Sequence, residues 1–195
     1  KYIDGTAAGS ATDLGYGWFN QQGGGSYSAC FDTAEKISGS NSMKLVVSTT
    51  GSYHNVTKNY TTSPLAVSNG IPCRPSTRYK VTCWMKTQYV SGDSSNGAAL
   101  IVYGRRADGS ADQTNIVTGY IKTTTEWTKY VHTFTTTADA VAIAPEMRIY
   151  GHTGAATLIM TAWFDEIIIS EDRPVMSIGV AKSDSSSTID NGITK

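Results

Sequence analysis

Short runs of strand-forming residues alternate with turn residues along the chain, and this rhythm constrains the fold more than any other feature. The runs are rich in Val, Ile, Thr and Tyr, and clusters such as SGDSSNG and ADGS separate them. β-Branched and aromatic residues favour strands, whereas Gly, Asn and Asp favour tight turns. The predicted strands are 27–32, 43–49, 53–60, 64–68, 78–90, 97–106, 115–122, 127–136, 140–150 and 157–169. Regular short strands with such turns indicate an all-β sandwich.

The length of 195 residues allows one domain with a core of ordinary size. Residues 1–26, which contain QQGGGS, are predicted to be an irregular lead-in packed on the sandwich. The sandwich itself is predicted to span residues 27–171, and the Ser-rich residues 172–195 to form a tail or linker. Because the chain starts abruptly with KYIDGT, we expect it either to be cut from a longer protein with further domains or to be a matured form.

The composition excludes several classes of partner. Sixteen basic and sixteen acidic residues cancel, and a neutral surface argues against binding to nucleic acid or to an anionic membrane. No run of apolar residues is long enough to span a membrane. Only 16% of residues are charged, below the usual quarter or so, while Gly, Ser and Thr are abundant. This composition is common in extracellular, cell-surface and virion proteins, so we expect one of those locations.

The three cysteines, Cys30, Cys73 and Cys83, cannot all pair within one chain. None of them stands in a C-x-x-C pair or has a His at zinc-ligand spacing, which argues against a structural zinc. Three free thiols are expected, and a Cys73–Cys83 bridge is the main alternative.

Two acids interrupt the apolar run ATLIMTAWFDEIIISE near the end of the predicted sandwich. Asp165 and Glu166 stand in the middle of this run. Burying an unpaired carboxylate is costly, so such acids are normally paired, hydrogen-bonded, bound to a metal or not buried.

Four segments resemble, in order and spacing, strands of the jelly-roll carbohydrate-binding modules. They are SGSNSMKLVVS, PSTRYKVTCWMKT, TTTEWTKYVHTFTT and TAWFDEIIIS, and the resemblance covers residues 38–170. This group includes the xylan- and glucan-binding modules attached to glycoside hydrolases. The resemblance implies a jelly-roll β-sandwich of two antiparallel sheets. Galactose-binding-like domains of tail fibres and adhesins share this layout, so the resemblance specifies the fold more than the ligand.

The resemblance also implies a structural calcium ion at the sandwich edge. In these modules the acid after the aromatic residue of the last strand often ligates calcium, and that position here is Asp165. By position, the other ligands would be Asp32 and backbone groups near Ser38 and Gly39. Calcium requires six to eight oxygen ligands, many of them carbonyls. The alternative is that Asp165 accepts hydrogen bonds from a loop or faces water.

Strand alternation predicts which side chains face the core. In strand 78–90, Tyr79, Val81, Cys83 and Met85 should point inward. Inward positions in later strands are Leu100, Val102, Met147, Ile149, Met160, Ala162 and Phe164.

The opposite parity predicts an outward, ligand-binding face. If the strands share one sheet, its residues are Trp84, Lys86, Gln88, Tyr103, Arg105, Arg148 and Tyr150. Aromatic rings offer a flat apolar surface to a sugar, and the polar groups can bind its hydroxyls. The alternative is that residues 1–26 or a partner cover this face and make its aromatics core.

Two further candidates for ligand binding lie in predicted loops at the sandwich edge. LGYGWFNQQGGGSYS contains Trp18, and GSYHN contains Tyr53. Loops on rigid scaffolds often carry specificity. The alternative is that Trp18 closes one end of the sandwich.

The sequence offers little for catalysis. No metalloprotease, nucleophile-elbow or phosphate-loop motif is present, although Glu126 and Glu146 could in principle form a glycosidase pair. The leading prediction is a non-catalytic module of a larger secreted or surface protein that binds a neutral poly- or oligosaccharide. The alternative is a structural or receptor-binding domain of a viral tail or capsid fibre, or of a bacterial adhesin, which would assemble as a homo-oligomer.

Overall fold

The computed structural model describes residues 2–5, 12–15, 18–22, 27–50, 52–58, 70–92, 97–151 and 157–173. Thirteen strands occur in these residues: β1 (Tyr2–Gly5), β2 (Thr12–Gly15), β3 (Trp18–Gln22), β4 (Tyr27–Asp32), β5 (Ser42–Thr50), β6 (Ser52–Lys58), β7 (Ile71–Pro72), β8 (Arg78–Ser91), β9 (Gly97–Arg105), β10 (Ala111–Ile116), β11 (Thr125–Thr135), β12 (Ala142–Gly151) and β13 (Thr157–Glu171). None of the described residues is helical, so no helix in this part of the chain could cross a membrane.

The strands form two antiparallel sheets. Sheet A has six strands in the order β1-β4-β5-β13-β8-β11. Sheet B has seven strands in the order β10-β9-β12-β6-β3-β2, with β7 also paired to β12. The predicted all-β jelly-roll sandwich of two antiparallel sheets is confirmed.

The core lies between the sheets and follows the predicted alternation. Sheet A contributes Tyr79, Val81, Cys83, Met85, Met160, Ala162 and Phe164, all at most 6% exposed. Sheet B contributes Leu100, Val102, Met147 and Ile149, all at most 1% exposed. Burying one large apolar side chain contributes about 1.5–3 kcal/mol, so this layer is a main source of the fold's stability.

Three strands lie within residues 1–26, where an irregular lead-in was expected. Strand β1 pairs with β4 in sheet A, and β3 pairs with β6 in sheet B. These strands are only four or five residues long and lie beside Gly-rich stretches, so periodicity gave little signal for them.

The strand predicted at 115–122 begins earlier, at Ala111, and ends at Ile116. Beyond it, the amides of Val117 and Ile121 still donate hydrogen bonds to β9 carbonyls, at 2.9 and 2.8 Å. The strand predicted at 64–68 lies outside the described residues.

A β-bulge explains the two acids in the last strand. Asp165 pairs with Trp84, whereas the next paired residue, Ile168, lies opposite Thr82, so β13 has one extra residue here. Glu166 lies at this bulge with a φ of +47°, in the left-handed region. Both acids are partly exposed, so neither carboxylate is buried in the core.

Candidate functional site

The predicted ligand-binding residues lie on two faces of the sandwich, not on one. Trp84, Lys86 and Gln88 belong to β8 in sheet A, whereas Tyr103 and Arg105 belong to β9 in sheet B. Arg148 and Tyr150 belong to β12, also in sheet B. The outward sides of two stacked sheets point in opposite directions, so the prediction of a single shared face is wrong. Alternation within a strand reports inward or outward direction but not the sheet that the strand joins.

The outer side of sheet B carries a cluster that we call the tyrosine–arginine face. It consists of Tyr103, Arg105, Tyr120, Glu146, Arg148 and Tyr150. Cross-strand pairing places Arg148 beside Ala99 and Tyr150 beside Gly97. Because paired residues point to the same side of a sheet, these small residues of β9 leave space for the large side chains of β12.

Arg148 is the centre of this face. Its Nη2 atom lies 2.6 Å from Oε1 of Glu146 and donates a 3.1 Å hydrogen bond to the Tyr103 hydroxyl. Its guanidinium carbon lies 5.8 Å from the centroid of the Tyr150 ring. The Arg148 side chain is 20% exposed and that of Glu146 is 7% exposed. Charge-assisted bonds in a largely desolvated setting fix the position of the guanidinium group.

Burial and the Glu146 carboxylate shift the pKa values of Arg148 and Tyr103 on this face. Burial, the largest single influence, lowers the pKa of the Arg148 guanidinium group, but Glu146 together with Tyr103 and Tyr120 outweighs it, so that this pKa is raised. Burial, followed by Glu146, raises the pKa of Tyr103. The Tyr103 hydroxyl therefore keeps its proton, and this proton is not used in the hydrogen bond from Arg148, in which the hydroxyl oxygen is the acceptor. Tyr103 can thus donate to a ligand.

The aromatic rings of this face are held by their neighbours. The centroids of Tyr120 and Tyr150 lie 6.2 Å apart, with the rings inclined by 46°. The guanidinium carbon of Arg105 lies 5.0 Å from the Tyr103 ring centroid, in cation–π range. All of these side chains are partly exposed. The face therefore combines partly exposed ring surfaces with hydrogen-bond donors, while the Glu146 carboxylate that pairs with Arg148 is buried.

Sequence reasoning missed Tyr120 and considered Glu146 only as an acid catalyst. Tyr120 follows the end of β10, where strand alternation no longer applies. Every second residue of β12 points to the same side of the sheet, so the pattern EMRIY already placed Glu146 on the side of Arg148 and Tyr150.

Trp84 points outward from sheet A, as predicted, and is half-buried. It pairs with Lys129 on one side and Asp165 on the other. The Lys129 ammonium lies 5.9 Å from the centroid of its ring. Lys86 is held by carboxylates, with its Nζ atom 3.1 Å from Glu35, and Gln88 is exposed.

The two acids of the predicted calcium site point to N–H donors. Oδ2 of Asp165 accepts hydrogen bonds from the amides of Ile37 and Ser38, at 2.7 and 3.1 Å, and Oδ1 accepts one from Glu166 at 2.8 Å. A calcium ligand must direct its oxygens at the ion. At Ser38 the backbone thus presents its N–H, not an oxygen, to Asp165.

The Asp32 carboxylate likewise accepts hydrogen bonds from N–H donors. Its Oδ1 accepts the amides of Ala34 and Glu35, and its Oδ2 accepts the indole N–H of Trp163 at 2.9 Å. The ammonium of Lys44 lies 3.4 Å from the same Oδ2. Hydrogen bonding, first from Trp163, lowers the pKa of Asp32 to about 2. As they lie, Asp32 and Asp165 do not fit a shared calcium ion, and the alternative of a loop held by Asp165 agrees with the geometry.

Trp18 and Tyr53 lie in strands, not in the loops where they were expected. Trp18 begins β3 and is partly buried against the core. It lines a small cavity of about 180 Å³ at one end of the sandwich with Phe31, Met147 and Phe164. This position agrees with the alternative that Trp18 closes the sandwich. Tyr53 lies in β6, opposite Tyr150, and its side chain is outside the described part of the structure.

The structure also defines the state of the three cysteines and the positions of Glu126 and Glu146. Cys30, Cys73 and Cys83 are all free thiols, and burial raises the pKa of Cys83 to about 12. Glu126 contacts Lys86 on the outer side of sheet A, whereas Glu146 lies on the outer side of sheet B. These two carboxyls lie on opposite sides of the sandwich and cannot act on one glycosidic bond.

Comparison with known proteins identifies related folds. No protein-family profile and no curated protein matches the sequence. The chain is similar to the enzymatically active domain of tailspike protein 4 from bacteriophage CBA120, with a TM-score of 0.56 and 14% identity over 80% of this chain and 19% of that chain. It is similar to the CBM22-1 xylan-binding domain of Paenibacillus barcinonensis Xyn10C, with a TM-score of 0.50 and 13% identity over 87% of this chain and 99% of that chain.

A third similar structure is the CBM22-1 and GH10 portion of Clostridium thermocellum xylanase 10B, complexed with xylohexaose. The TM-score is 0.52 and the identity is 14%, over 80% of this chain and 26% of that chain. At such identities the likeness shows the fold alone. The chain has the jelly-roll fold of these carbohydrate-binding modules, as the sequence motifs predicted.

Proposed function

We propose that this chain is a non-catalytic carbohydrate-binding module that binds a neutral poly- or oligosaccharide on its tyrosine–arginine face. The observation that carries the proposal is Arg148, which is held between the Glu146 carboxylate, the Tyr103 hydroxyl and the Tyr150 ring on a partly exposed sheet surface. A guanidinium group fixed in this way is preorganised to bind a ligand.

The chemistry of the face suits sugar hydroxyls. A hydroxyl both donates and accepts hydrogen bonds, and the face offers the Arg148 guanidinium group as donor and the Tyr103 hydroxyl as donor and acceptor, both partly exposed. The rings of Tyr120 and Tyr150 offer apolar surface for stacking on a sugar ring. Since Glu146 neutralises Arg148, a neutral glycan fits this centre better than a charged one.

The comparisons support this proposal at the level of fold, because two of the similar structures contain modules described as xylan-binding or complexed with a xylo-oligosaccharide. The separation of Glu126 and Glu146 excludes this pair as the two carboxyls of a glycosidase. We further propose that the chain is part of a larger secreted or surface protein, in an extracellular, cell-surface or virion location. Its neutral, Gly-, Ser- and Thr-rich composition supports this location.

A second candidate function is a structural or receptor-binding domain of a viral fibre or an adhesin. Val131 and Ile168 flank Thr82 on the outer side of sheet A, and they are 54% and 56% exposed. Exposed apolar side chains beside Trp84 suit an interface between subunits. Fibre domains usually assemble as trimers, so a monomer by light scattering would argue against this candidate.

A glycan-array screen of the whole chain tests the leading proposal. We expect binding to neutral glycans, and binding that weakens in Arg148→Lys because a lysine lacks the planar fork of the guanidinium group. Arg78→Lys is the matched control, since Arg78 lies in sheet A with a side chain that is 61% exposed. Absence of binding to any neutral glycan, or equal weakening in both variants, would contradict the proposal.

A further inference from the structure

The outer side of sheet A has a groove of about 510 Å³, on the opposite side of the sandwich from the tyrosine–arginine face. We call it the lysine–tryptophan groove and define it by Glu35, Lys44, Lys86, Gln88, Glu126 and Trp163. Glu35 comes from the loop after β4, and Glu126 comes from the start of β11. The groove thus runs between the loop after β4 and the start of β11, which are far apart in sequence.

The floor of the groove is fixed. Trp163 is only 6% exposed, and its indole N–H donates a 2.9 Å hydrogen bond to Asp32. The ammonium groups of Lys44 and Lys86 lie 5.2 and 5.9 Å from the centroid of its ring. A site whose side chains are already held loses little conformational entropy when a ligand binds.

One wall of the groove is fixed as well. The loop after β4 is held by the Asp165 carboxylate, which accepts the amides of Ile37 and Ser38. The Ser42 hydroxyl donates a 2.5 Å hydrogen bond to the carbonyl of Glu35 at the groove itself. The backbone that carries Glu35 is therefore held at several points.

The charges of the groove are paired across it. Lys86 Nζ lies 3.1 Å from Glu35 on one wall and 3.5 Å from Glu126 on the other. Lys44 Nζ lies 3.4 Å from Asp32. An anion entering the groove would meet carboxylates, and a cation would meet ammonium groups. A hydroxyl can accept from the ammonium and donate to the carboxylates, whose oxygens each accept more than one bond.

We propose that the lysine–tryptophan groove is a second saccharide site, which takes a short neutral segment of a glycan. Its volume lies within the range of about 300–1,000 Å³ that is typical of small-molecule sites. The proposal rests on the proposed function for the class of ligand, but it concerns a separate surface. Because the two outer faces point in opposite directions, a chain occupied at both sites joins two glycan molecules.

Chemical-shift mapping of the whole chain tests the second site, with xylohexaose, cellohexaose and mannohexaose as probes. We expect at least one probe to shift the indole N–H signal of Trp163 and the amide of Lys86 in a saturable manner. Lys86→Met should weaken this binding about tenfold or more, since it removes a charge-assisted contact and keeps an unbranched side chain that is one atom shorter. Lys129→Met is the matched control, because Lys129 lies over Trp84 on the same sheet and outside the groove.

Glu126→Ala is a second variant in case Lys86→Met folds poorly, since the Glu126 side chain is 86% exposed. Shifts confined to Tyr103, Tyr150 and their neighbours would overturn the second site and leave the proposed function intact. Shifts confined to the groove would support the second site and contradict the proposed face. No shift on either face with any probe would overturn both proposals.

Discussion

The Asp165 carboxylate ties the loop after β4 to the last strand, and its removal should weaken the fold measurably. Asp165→Ala deletes the acceptor of three backbone amides: Ile37 at 2.7 Å, Ser38 at 3.1 Å and Glu166 at 2.8 Å. A hydrogen bond to a charged group contributes about 1.5–3 kcal/mol. The amides of Ile37 and Ser38 are exposed, so water replaces part of their loss. About 1 kcal/mol for each bond gives a total loss of about 3 kcal/mol.

Urea denaturation of parent and variant measures this loss as a shift in midpoint at an unchanged m-value. Asp165→Asn keeps one carbonyl oxygen as acceptor and should lose about half as much. Asp139→Ala is the control, because the Asp139 side chain is 75% exposed and its substitution should stay within about 0.5 kcal/mol. If Asp165→Ala unfolds within about 0.5 kcal/mol of the parent, the loop is not held as described.

The same variants decide the calcium prediction. Since Asp165 and Asp32 direct their oxygens at N–H donors, a chelator should leave the melting temperature of the parent unchanged. A structural ion would stabilise the native state by mass action. A melting temperature that falls on chelation in the parent, but not in Asp165→Ala, would therefore establish the calcium site.

Three further predictions concern stability. The pKa of Asp32 is lowered from 3.8 to about 2, chiefly by the Trp163 indole. The contribution of Asp32 to the free energy of unfolding is therefore present above about pH 4 and is lost as pH falls towards 2. Unfolding measured along an acid titration should show this loss in the parent and not in Asp32→Asn. Glu166 has a φ of +47°, a backbone conformation that is strained for a residue other than glycine. Glu166→Gly should therefore be neutral or stabilising by up to about 1 kcal/mol, and Glu166→Val should be destabilising. Equal urea midpoints for these two variants would contradict this backbone strain. Phe164→Ala should cost about 3–5 kcal/mol because Phe164 is 2% exposed, whereas Trp84→Ala should cost clearly less, and equal costs would mean that Trp84 is core.

The parts of the fold that depend on local pattern could be predicted from the sequence. Alternation in β8 correctly placed Val81 and Cys83 inward and Trp84 outward, because burial on one side of a strand repeats every second residue. The ordered motifs correctly predicted the jelly roll. The short strand β1 was missed, since four residues give too few repeats to reveal a period.

The candidate site could not be assembled from the sequence, because it depends on pairing between distant strands. Tyr103 and Arg148 are 45 residues apart and meet only because β9 and β12 are neighbours in sheet B. Trp84 has the same outward parity but belongs to the other sheet. The bulge at Asp165 was equally hidden, since Glu166 is not a residue that normally indicates a left-handed backbone.

Calorimetric titration of Tyr150→Ala and Trp84→Ala, with the neutral oligosaccharide that binds best on the array, tests the central claim most directly. Tyr150 belongs to the tyrosine–arginine face, and Trp84 is an outward aromatic of the other sheet that lies outside the groove. The account predicts that Tyr150→Ala lowers affinity about tenfold or more, which corresponds to about 1.4 kcal/mol, while Trp84→Ala binds like the parent. Parent-like binding by Tyr150→Ala together with lost binding by Trp84→Ala would contradict the account and place the glycan at Trp84, outside both proposed sites.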